Sequence, residues 1–264
     1  MASGEKKRIG GKVVYIRKAQ RTPPVSTNPP ARDPANFKSA SEAENLNELS
    51  TYMSDKHGVS INSNSLSGQD FKSVKNAAGE IEAVINEFPQ AKSAFSELRG
   101  DNLRPGALAN ARLSGIITTS NSYFSDDSEL QSRYGRSVDS GFHPVGTTGN
   151  HVVTHESGHI LEAALINKNI TYENTGPWYQ LERSHHWGKS TYAKQVISEA
   201  AKAAKKTPDG KGKKNTQLIS DVSGYAQTNR SETLAECVAD YRANGSNAKP
   251  LSREVWKILK RELG

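Results

Sequence analysis

The feature that most constrains this chain of 264 residues is the pentapeptide HESGH at residues 155–159, which lies inside an apolar run. On an α-helix, residues four positions apart lie on one face, so the imidazoles of His155 and His159 can reach one metal ion. In the HExxH pattern both histidines bind zinc, and the intervening acid, here Glu156, acts as a general base. The spacing therefore predicts a metal-binding helix. The alternative is a hydrogen-bonded pair of core histidines beside a solvated Glu156.

The residues around the pentapeptide favour the metal-binding interpretation. Val152 and Val153 precede it, and Ile160 and Leu161 follow it, so the predicted helix is apolar on most of its surface. Burying three ionisable side chains on one helical turn is unfavourable unless a partner compensates their charge. A bound metal ion would be such a partner.

Two histidines do not complete a catalytic zinc site, because such a site needs a third protein ligand. A metzincin would carry Gly at position 162 and His at position 165, but this chain has Glu162 and Leu165, which excludes that class. Two acids further along the chain are then candidates. Glu182 lies near the distance from His159 at which thermolysin-like enzymes place their ligand Glu. Glu232 lies much further downstream.

The surroundings of Glu232 make it the preferred third ligand. Glu232, Glu236 and Asp240 follow one another at intervals of four residues within an otherwise apolar segment. This spacing predicts a helix with a stripe of carboxylates, and Ala235 and Ala239 would let that helix pack closely on a neighbour. Carboxylates on a packed face need a cation or an imidazole as partner, and the HESGH helix can supply either.

Together, HESGH and the distant segment SGYAQTNRSETLAE at residues 223–236 resemble the gluzincin domain of anthrax lethal factor and its relatives. These relatives include the metallopeptidase-like domains of bacteriophage head-morphogenesis proteins, and the resemblance covers roughly residues 37–264. It implies one Zn²⁺ ion with three ligands, a general base, an oxyanion donor and an acid that supports the site. The implied ligands are His155, His159 and Glu232, and the implied base is Glu156. Tyr225 would be the oxyanion donor, and Glu236 the supporting acid.

The resemblance also implies a fold and an activity. The expected fold is an α+β, zincin-like metallopeptidase fold, mainly helical with a small mixed sheet. The expected activity is zinc-dependent endopeptidase hydrolysis of a protein substrate in phage head morphogenesis, with capsid or portal proteins as partners and a location in the virion. Two alternatives stay open: a structural head-assembly protein that keeps a metallopeptidase fold, and a toxin protease.

Residues 1–36 differ in composition from the rest of the chain. They hold eight Lys or Arg and two acids, so they carry +6 of the net charge of +7, and they contain five of the eleven prolines. This composition predicts a flexible basic arm, with residues 19–36 as an extended linker and a strand near residues 11–17. Such an arm either contacts nucleic acid without sequence specificity or an acidic protein surface, through counterion release, or is merely solvated.

Apolar residues at helical spacing predict three scaffold helices, over residues 43–58, 71–88 and 91–100, the first after a capping box from Ser39 to Glu42. Residues 113–120 are β-branched and predict a strand, which the resemblance makes a peptide-binding edge. Residues 121–150 are rich in Ser, Asp and Gly and predict loops that end at Asn150, the expected cap of the metal helix.

Beyond the metal helix, the aromatic residues and histidines of segment 175–187 are expected either to line a substrate cleft or to cover the core. Residues 192–206 predict an Ala-rich helix, followed by an exposed basic loop. A last helix is expected after a cap at Ser252. His143 and His151 are expected to be hydrogen-bonded residues rather than ligands, and Cys237 a small buried residue.

Composition limits where the protein can act. Apolar residues make up 34% of the chain and charged residues 24%, and no run reaches the roughly 20 apolar residues of a membrane span. The charged N-terminus also lacks the apolar core of a signal peptide. We therefore expect a soluble protein that is synthesised into the cytoplasm of a bacterial host and has no membrane partner.

Overall fold

The structure is a computed structural model that describes residues 5–9, 12–16, 32–170 and 176–264, and the chain divides into two compact units, Met1–Arg32 and Asp33–Gly264. In the first unit, strands β1 (Glu5–Ile9) and β2 (Lys12–Ile16) pair antiparallel, so the predicted strand near residues 11–17 has a partner within the arm. The linker predicted at residues 19–36 lies outside the described residues up to residue 31. Its last residues, Pro34–Asn36, form a 3-10 helix of the second unit.

The second unit is mainly helical in its described part. Its α-helices are α1 (Leu46–His57), α2 (Ser63–Leu66), α3 (Phe71–Glu87), α4 (Asn121–Phe124), α5 (Asp127–Asp139), α6 (His151–Asn169), α7 (Pro177–Gly188), α8 (Thr191–Ala204), α9 (Asn215–Ser220), α10 (Arg230–Asn244) and α11 (Pro250–Leu263). None of the described helices is both long and apolar enough to cross a membrane.

Four short strands form a mixed sheet beside these helices, which confirms the predicted α+β class. They are β3 (Ser60–Ile61), β4 (Glu97–Asp101), β5 (Ala109–Ala111) and β6 (Ile116–Ser120). The order is β3-β4-β6-β5, with β3, β4 and β6 parallel and β5 antiparallel to β6. The strand predicted at residues 113–120 is present as β6, but it is an inner strand. The edge nearest α6 is β5 instead.

The helix predicted over residues 91–100 is wrong. Residues Pro89–Ala94 form a 3-10 helix, and Glu97–Asp101 then form β4. Leu98, which fits the helical period, is fully buried and lies opposite Ile117 in the sheet. A short apolar run suits either structure, and here pairing with β6 outweighs the local pattern. The prediction of loops over residues 121–150 is also wrong, because α4 and α5 lie in this stretch. Asp126 caps α5 by accepting from the Glu129 N–H at 3.1 Å.

Three predicted helix caps differ from the structure. Asn45, not the Ser39–Glu42 segment, caps α1 by accepting from Glu48 N at 3.0 Å. Asn150 does not cap α6, because its side-chain oxygen accepts instead from Gln131 Nε2 of α5 at 2.9 Å. Ser252 is buried inside α11, which begins at Pro250, where the missing N–H of proline costs no helical hydrogen bond.

Helices α6 and α10 cross at the centre of the second unit and place the predicted site. Almost every residue of α6 from Val152 to Ile166 is buried, so this helix is covered on all sides. Gly158 makes the close crossing feasible, since a Cβ atom at this position would lie 2.7 Å from the Cα of Ala235 on α10. The Gly of HESGH is therefore required by helix packing.

Candidate metal centre

The crossing of α6 and α10 brings together the three residues expected to bind metal. His155 and His159 lie one turn apart on α6, and Glu232 lies in the first turn of α10, where Asn229 accepts from its backbone N–H at 3.0 Å. One ligand atom from each residue lies within 4.8 Å of the other two. Two imidazoles and one carboxylate form a donor set that suits catalytic zinc.

One carboxylate oxygen is at the centre of this group. Oε2 of Glu232 lies 3.0 Å from Nε2 of His155 and 3.3 Å from Nε2 of His159. It is buried, yet neither imidazole is oriented to give it a hydrogen bond of acceptable geometry. The separations are close to the ~3.4 Å expected between neighbouring ligand atoms on a tetrahedral zinc ion. The three donor atoms therefore have the spacing of ligands that share one cation.

The electrostatics of the centre agree with this arrangement. Burial alone would raise the pKa of Glu232, but the neighbouring imidazoles of His155 and His159 hold it well below its usual range. Burial would likewise lower the pKa of His155, and the carboxylates of Glu232 and Glu236 more than offset this, so the pKa of His155 lies well above its usual value. Without a cation, the centre would hold a proton in the place where a metal ion can bind.

Glu236 lies behind the ligands and fixes the orientation of His155. Its Oε1 is 2.8 Å from Nδ1 of His155 and 3.1 Å from Nδ1 of His143, and its Oε2 accepts from the Ser223 hydroxyl at 2.7 Å. Despite full burial, these partners lower the pKa of Glu236 to about 2. A carboxylate that holds Nδ1 leaves Nε2 of the same ring free to bind metal.

Glu156, the expected base, is next to the ligands but is not one of them. It is buried, with 7% of its surface exposed, and burial raises its pKa, while His155 and His159 act in the opposite direction. A carboxylate with a raised pKa is a better proton acceptor for catalysis near neutral pH.

Tyr225 is held over the centre by a loop that the sequence did not connect with it. Its backbone N–H donates to the carbonyl of Phe142 at 3.0 Å, and the N–H of Gly224 donates to the carbonyl of Gly141 at 2.8 Å. The Tyr225 ring lies 5.6 Å from the His155 ring, centroid to centroid. Burial and the nearby Glu232 raise the pKa of Tyr225 to about 12, so its hydroxyl stays protonated and can donate a hydrogen bond.

A cleft opens on the centre from the side of β5. It has two lobes of about 430 and 280 Å³, and both are lined by Ala109, His155, Glu156 and Tyr225. The first lobe extends towards Tyr134 and His143, and the second towards Trp187 of α7. Segment 175–187 therefore contributes to the cleft through the end of α7, whereas Trp178 at its start is exposed.

No protein-family model, curated protein or solved structure matches the chain. The resemblance to gluzincins therefore rests on the motif residues of the sequence.

The other candidate residues have different surroundings. Glu182 lies on α7, where its Oε1 is 3.6 Å from Nε2 of His186, and it does not join the ligand cluster of the described residues. His151 accepts from the Thr148 N–H at 3.0 Å in the first turn of α6, and Cys237 is fully buried, as expected for both.

Sequence reasoning missed two contributors to the site. Ser223 adds a hydrogen bond to Glu236, and it stands two residues before Tyr225 in the segment that carries the resemblance. His143 was expected to be hydrogen-bonded, but no spacing rule could identify its partner, because Glu236 lies 93 residues away. The stacking of the His143 ring on Tyr134, at 4.7 Å between centroids, holds it in place.

Proposed function

We propose that this protein is a zinc-dependent endopeptidase with a zincin-like fold of the gluzincin type. The observation that carries the proposal is the convergence of His155, His159 and Glu232 at the inner wall of an open cleft, with an unpartnered buried oxygen at Glu232. A structural core cluster would satisfy that oxygen with a hydrogen bond. The proposed Zn²⁺ ligands are these three residues.

Each remaining residue of the centre has a chemical role in peptide hydrolysis. When bound, zinc supplies Lewis acidity towards water and towards the peptide carbonyl. Glu156 takes the proton of the attacking water and passes it to the leaving amine. The Tyr225 hydroxyl donates to the oxygen on which negative charge develops, and Glu236 keeps His155 oriented through Nδ1.

The sheet edge beside the centre supports an extended polypeptide as substrate. Ala109, Asn110 and Ala111 of β5 line the cleft, and in the described residues β5 pairs only with β6. An extended peptide can pair with such an edge through backbone hydrogen bonds, which places its carbonyls beside the ligands. This edge takes the role that the sequence assigned to β6.

The test combines metal content with cleavage. Purified protein is expected to contain about one zinc per chain and to cleave a proteome-derived peptide library, with the sites mapped by mass spectrometry. Glu156→Gln is expected to keep zinc and lose activity by about 10²- to 10⁴-fold, because a general base need not be a ligand. Protein that cannot be loaded with zinc would contradict the proposal.

The Glu156→Gln variant also distinguishes the proposed endopeptidase from a structural phage head protein. If the chain acts only by its position in a head, Glu156→Gln should leave particle assembly unchanged and no peptide should be cleaved by either protein. If it processes capsid or portal proteins, assembly should stop with uncleaved precursors. A toxin protease would instead cleave a protein of the target cell, and Glu156→Gln would be harmless there.

A further inference from the structure

Arg104 stands at the mouth of the cleft and has no role in the proposed chemistry. It lines both lobes, as His155 and Glu156 do. It is the only Lys or Arg among the described residues that line either lobe. Its guanidinium makes no ion pair or hydrogen bond in the described part of the chain, and the residue is exposed.

The backbone holds Arg104 at this place through a tight turn. The N–H of Ala107 donates to the carbonyl of Arg104 at 3.1 Å, across Pro105 and Gly106. Pro favours the second position of such a turn, and the third position requires a positive φ, which Gly106 adopts at 86°. The segment leads directly into β5 at Ala109. The turn therefore fixes the start of the Arg104 side chain relative to the peptide-binding edge.

The charge balance of the cleft indicates what Arg104 would bind. The acids lining the lobes are Glu156 and Glu232, and both belong to the proposed centre. The two charges of a zinc ion would offset these two carboxylates, and the third carboxylate of the centre, Glu236, is fully buried behind His155 and does not line the lobes. Among the described residues that line the cleft, Arg104 is therefore the charged side chain left for a substrate. A guanidinium binds a carboxylate through two parallel N–H···O bonds, a geometry that a neutral side chain cannot match.

We propose that Arg104 selects substrates with an Asp or Glu side chain close to the scissile bond. The inference rests on the proposed peptidase function and specifies its substrate class. An extended peptide advances about 3.3 Å per residue, so an arginine at the rim reaches acids within about two residues of the cleaved bond. Neutral residues at the same place would leave the guanidinium in water and gain nothing.

The experiment compares cleavage of matched peptides with blocked termini, so that the only carboxylate near the bond is the side chain. The cleavage sites from the library define a frame, and each position within two residues of the bond is then tested with Glu and with Gln. At one of these positions the wild-type protein is expected to cleave the Glu peptide with a kcat/KM about 5- to 10-fold higher than the Gln peptide. The advantage is modest because the pair stays partly solvated.

Variants of Arg104 identify the source of the preference. Arg104→Ala should cleave both peptides equally, and Arg104→Glu should favour a Lys peptide instead. Arg112→Ala is the matched control, since Arg112 is also exposed, lies just after β5 and does not line the cleft. It should retain the wild-type preference.

The two possible failures give different results. Equal cleavage of Glu and Gln peptides at every position by the wild-type protein, or a Glu preference that survives in Arg104→Ala, would overturn the inference and leave the peptidase intact. Absence of any cleavage by zinc-loaded protein would overturn the proposed function. In that case, equal affinity of Glu and Gln peptides for the zinc-loaded protein, measured by calorimetry, would also overturn carboxylate binding by Arg104.

Discussion

Two buried clusters in the second unit join a glutamate to histidine, and they differ in whether the carboxylate is satisfied. At the first, Oε1 of Glu82 accepts from the Tyr52 hydroxyl and lies 3.3 Å from Nε2 of His57, while its Oε2 accepts from the Ala40 N–H at 2.8 Å. Each oxygen of Glu82 therefore has a partner. At the second, Oε2 of Glu232 has no hydrogen bond despite its burial.

The difference separates a cluster that stabilises the fold from one that can bind a ligand. A satisfied carboxylate contributes to stability and offers nothing further to a cation. The Oε2 atom of Glu232 instead lies 3.0 and 3.3 Å from two imidazole nitrogens, which stabilise its charge without a hydrogen bond of standard geometry. A metal ion could bind between these three atoms. Composition alone does not reveal this contrast, because both clusters contain Glu and His.

The largest expected effect is on metal affinity. Glu232→Ala should weaken zinc binding on the order of 10³-fold or more, beyond the 10- to 100-fold typical of residues that only orient a ligand. Glu82→Gln and Glu182→Ala should leave zinc affinity unchanged, as measured by competition with a chelator. If Glu182→Ala lost zinc while Glu232→Ala kept it, the third ligand would follow the thermolysin-like spacing, and the roles of Tyr225 and Glu236 would be wrong.

The next effect is on turnover alone. Tyr225→Phe should lower kcat by about 10²- to 10³-fold, because its hydroxyl is needed only when charge develops on the oxyanion. Zinc content should stay at the wild-type level. Tyr52→Phe removes a hydroxyl from the other cluster and should change stability but not kcat. A Tyr225→Phe protein with normal kcat would place the oxyanion donor elsewhere.

Glu236 should have an intermediate effect on the metal. Glu236→Ala removes the acceptor that holds Nδ1 of His155, so zinc affinity should fall by about 10- to 100-fold. His143→Ala removes only one partner of that carboxylate and should cost less. Both are measured by chelator competition on folded protein. Wild-type affinity in Glu236→Ala would mean that packing alone orients His155.

The smallest effect is a pH dependence of the free energy of unfolding that comes from the Glu82 cluster. Burial would raise the pKa of Glu82, but hydrogen bonds from His57, Tyr52 and the Ala40 N–H lower it below its usual value. A lowered pKa stabilises the fold above the pKa of the unfolded chain, about 4.3, and this stability is lost as the pH falls further. In urea titrations with chelator, Glu82→Gln should be about 1–3 kcal/mol less stable than wild type at pH 7.

The difference in the free energy of unfolding between Glu82→Gln and wild type should narrow as the pH falls to 4. The Glu82 carboxyl of the unfolded chain then takes up a proton before that of the folded protein, whose pKa is lower. A gap that stays constant from pH 7 to pH 4 would mean that the Glu82 carboxylate does not contribute through its charge. Zinc loading should be the same for the two proteins at pH 7, since Glu82 is not part of the metal centre.

The local periodicity of apolar residues was enough to predict most of the long helices. It failed where a short apolar segment suits either a helix or a strand. Residues 71–88 have enough apolar positions to define α3, whereas Leu98 belongs to a run too short to separate helix from strand. The caps failed for a related reason. Asn150 is a good capping residue by type, yet its side chain bonds to Gln131 on another helix, a partner that only tertiary packing supplies.

By itself, the sequence determined which atoms can meet within a single helix. The spacing of His155 and His159 and the stripe from Glu232 to Asp240 follow from 3.6 residues per turn, which no later packing alters. Only the tertiary structure decided which distant acid reaches the histidines, because that depends on how closely α6 and α10 cross at Gly158 and Ala235. It also decided that the sheet edge beside the cleft is β5 and that Arg104 stands at the cleft, since strand order is not a local property.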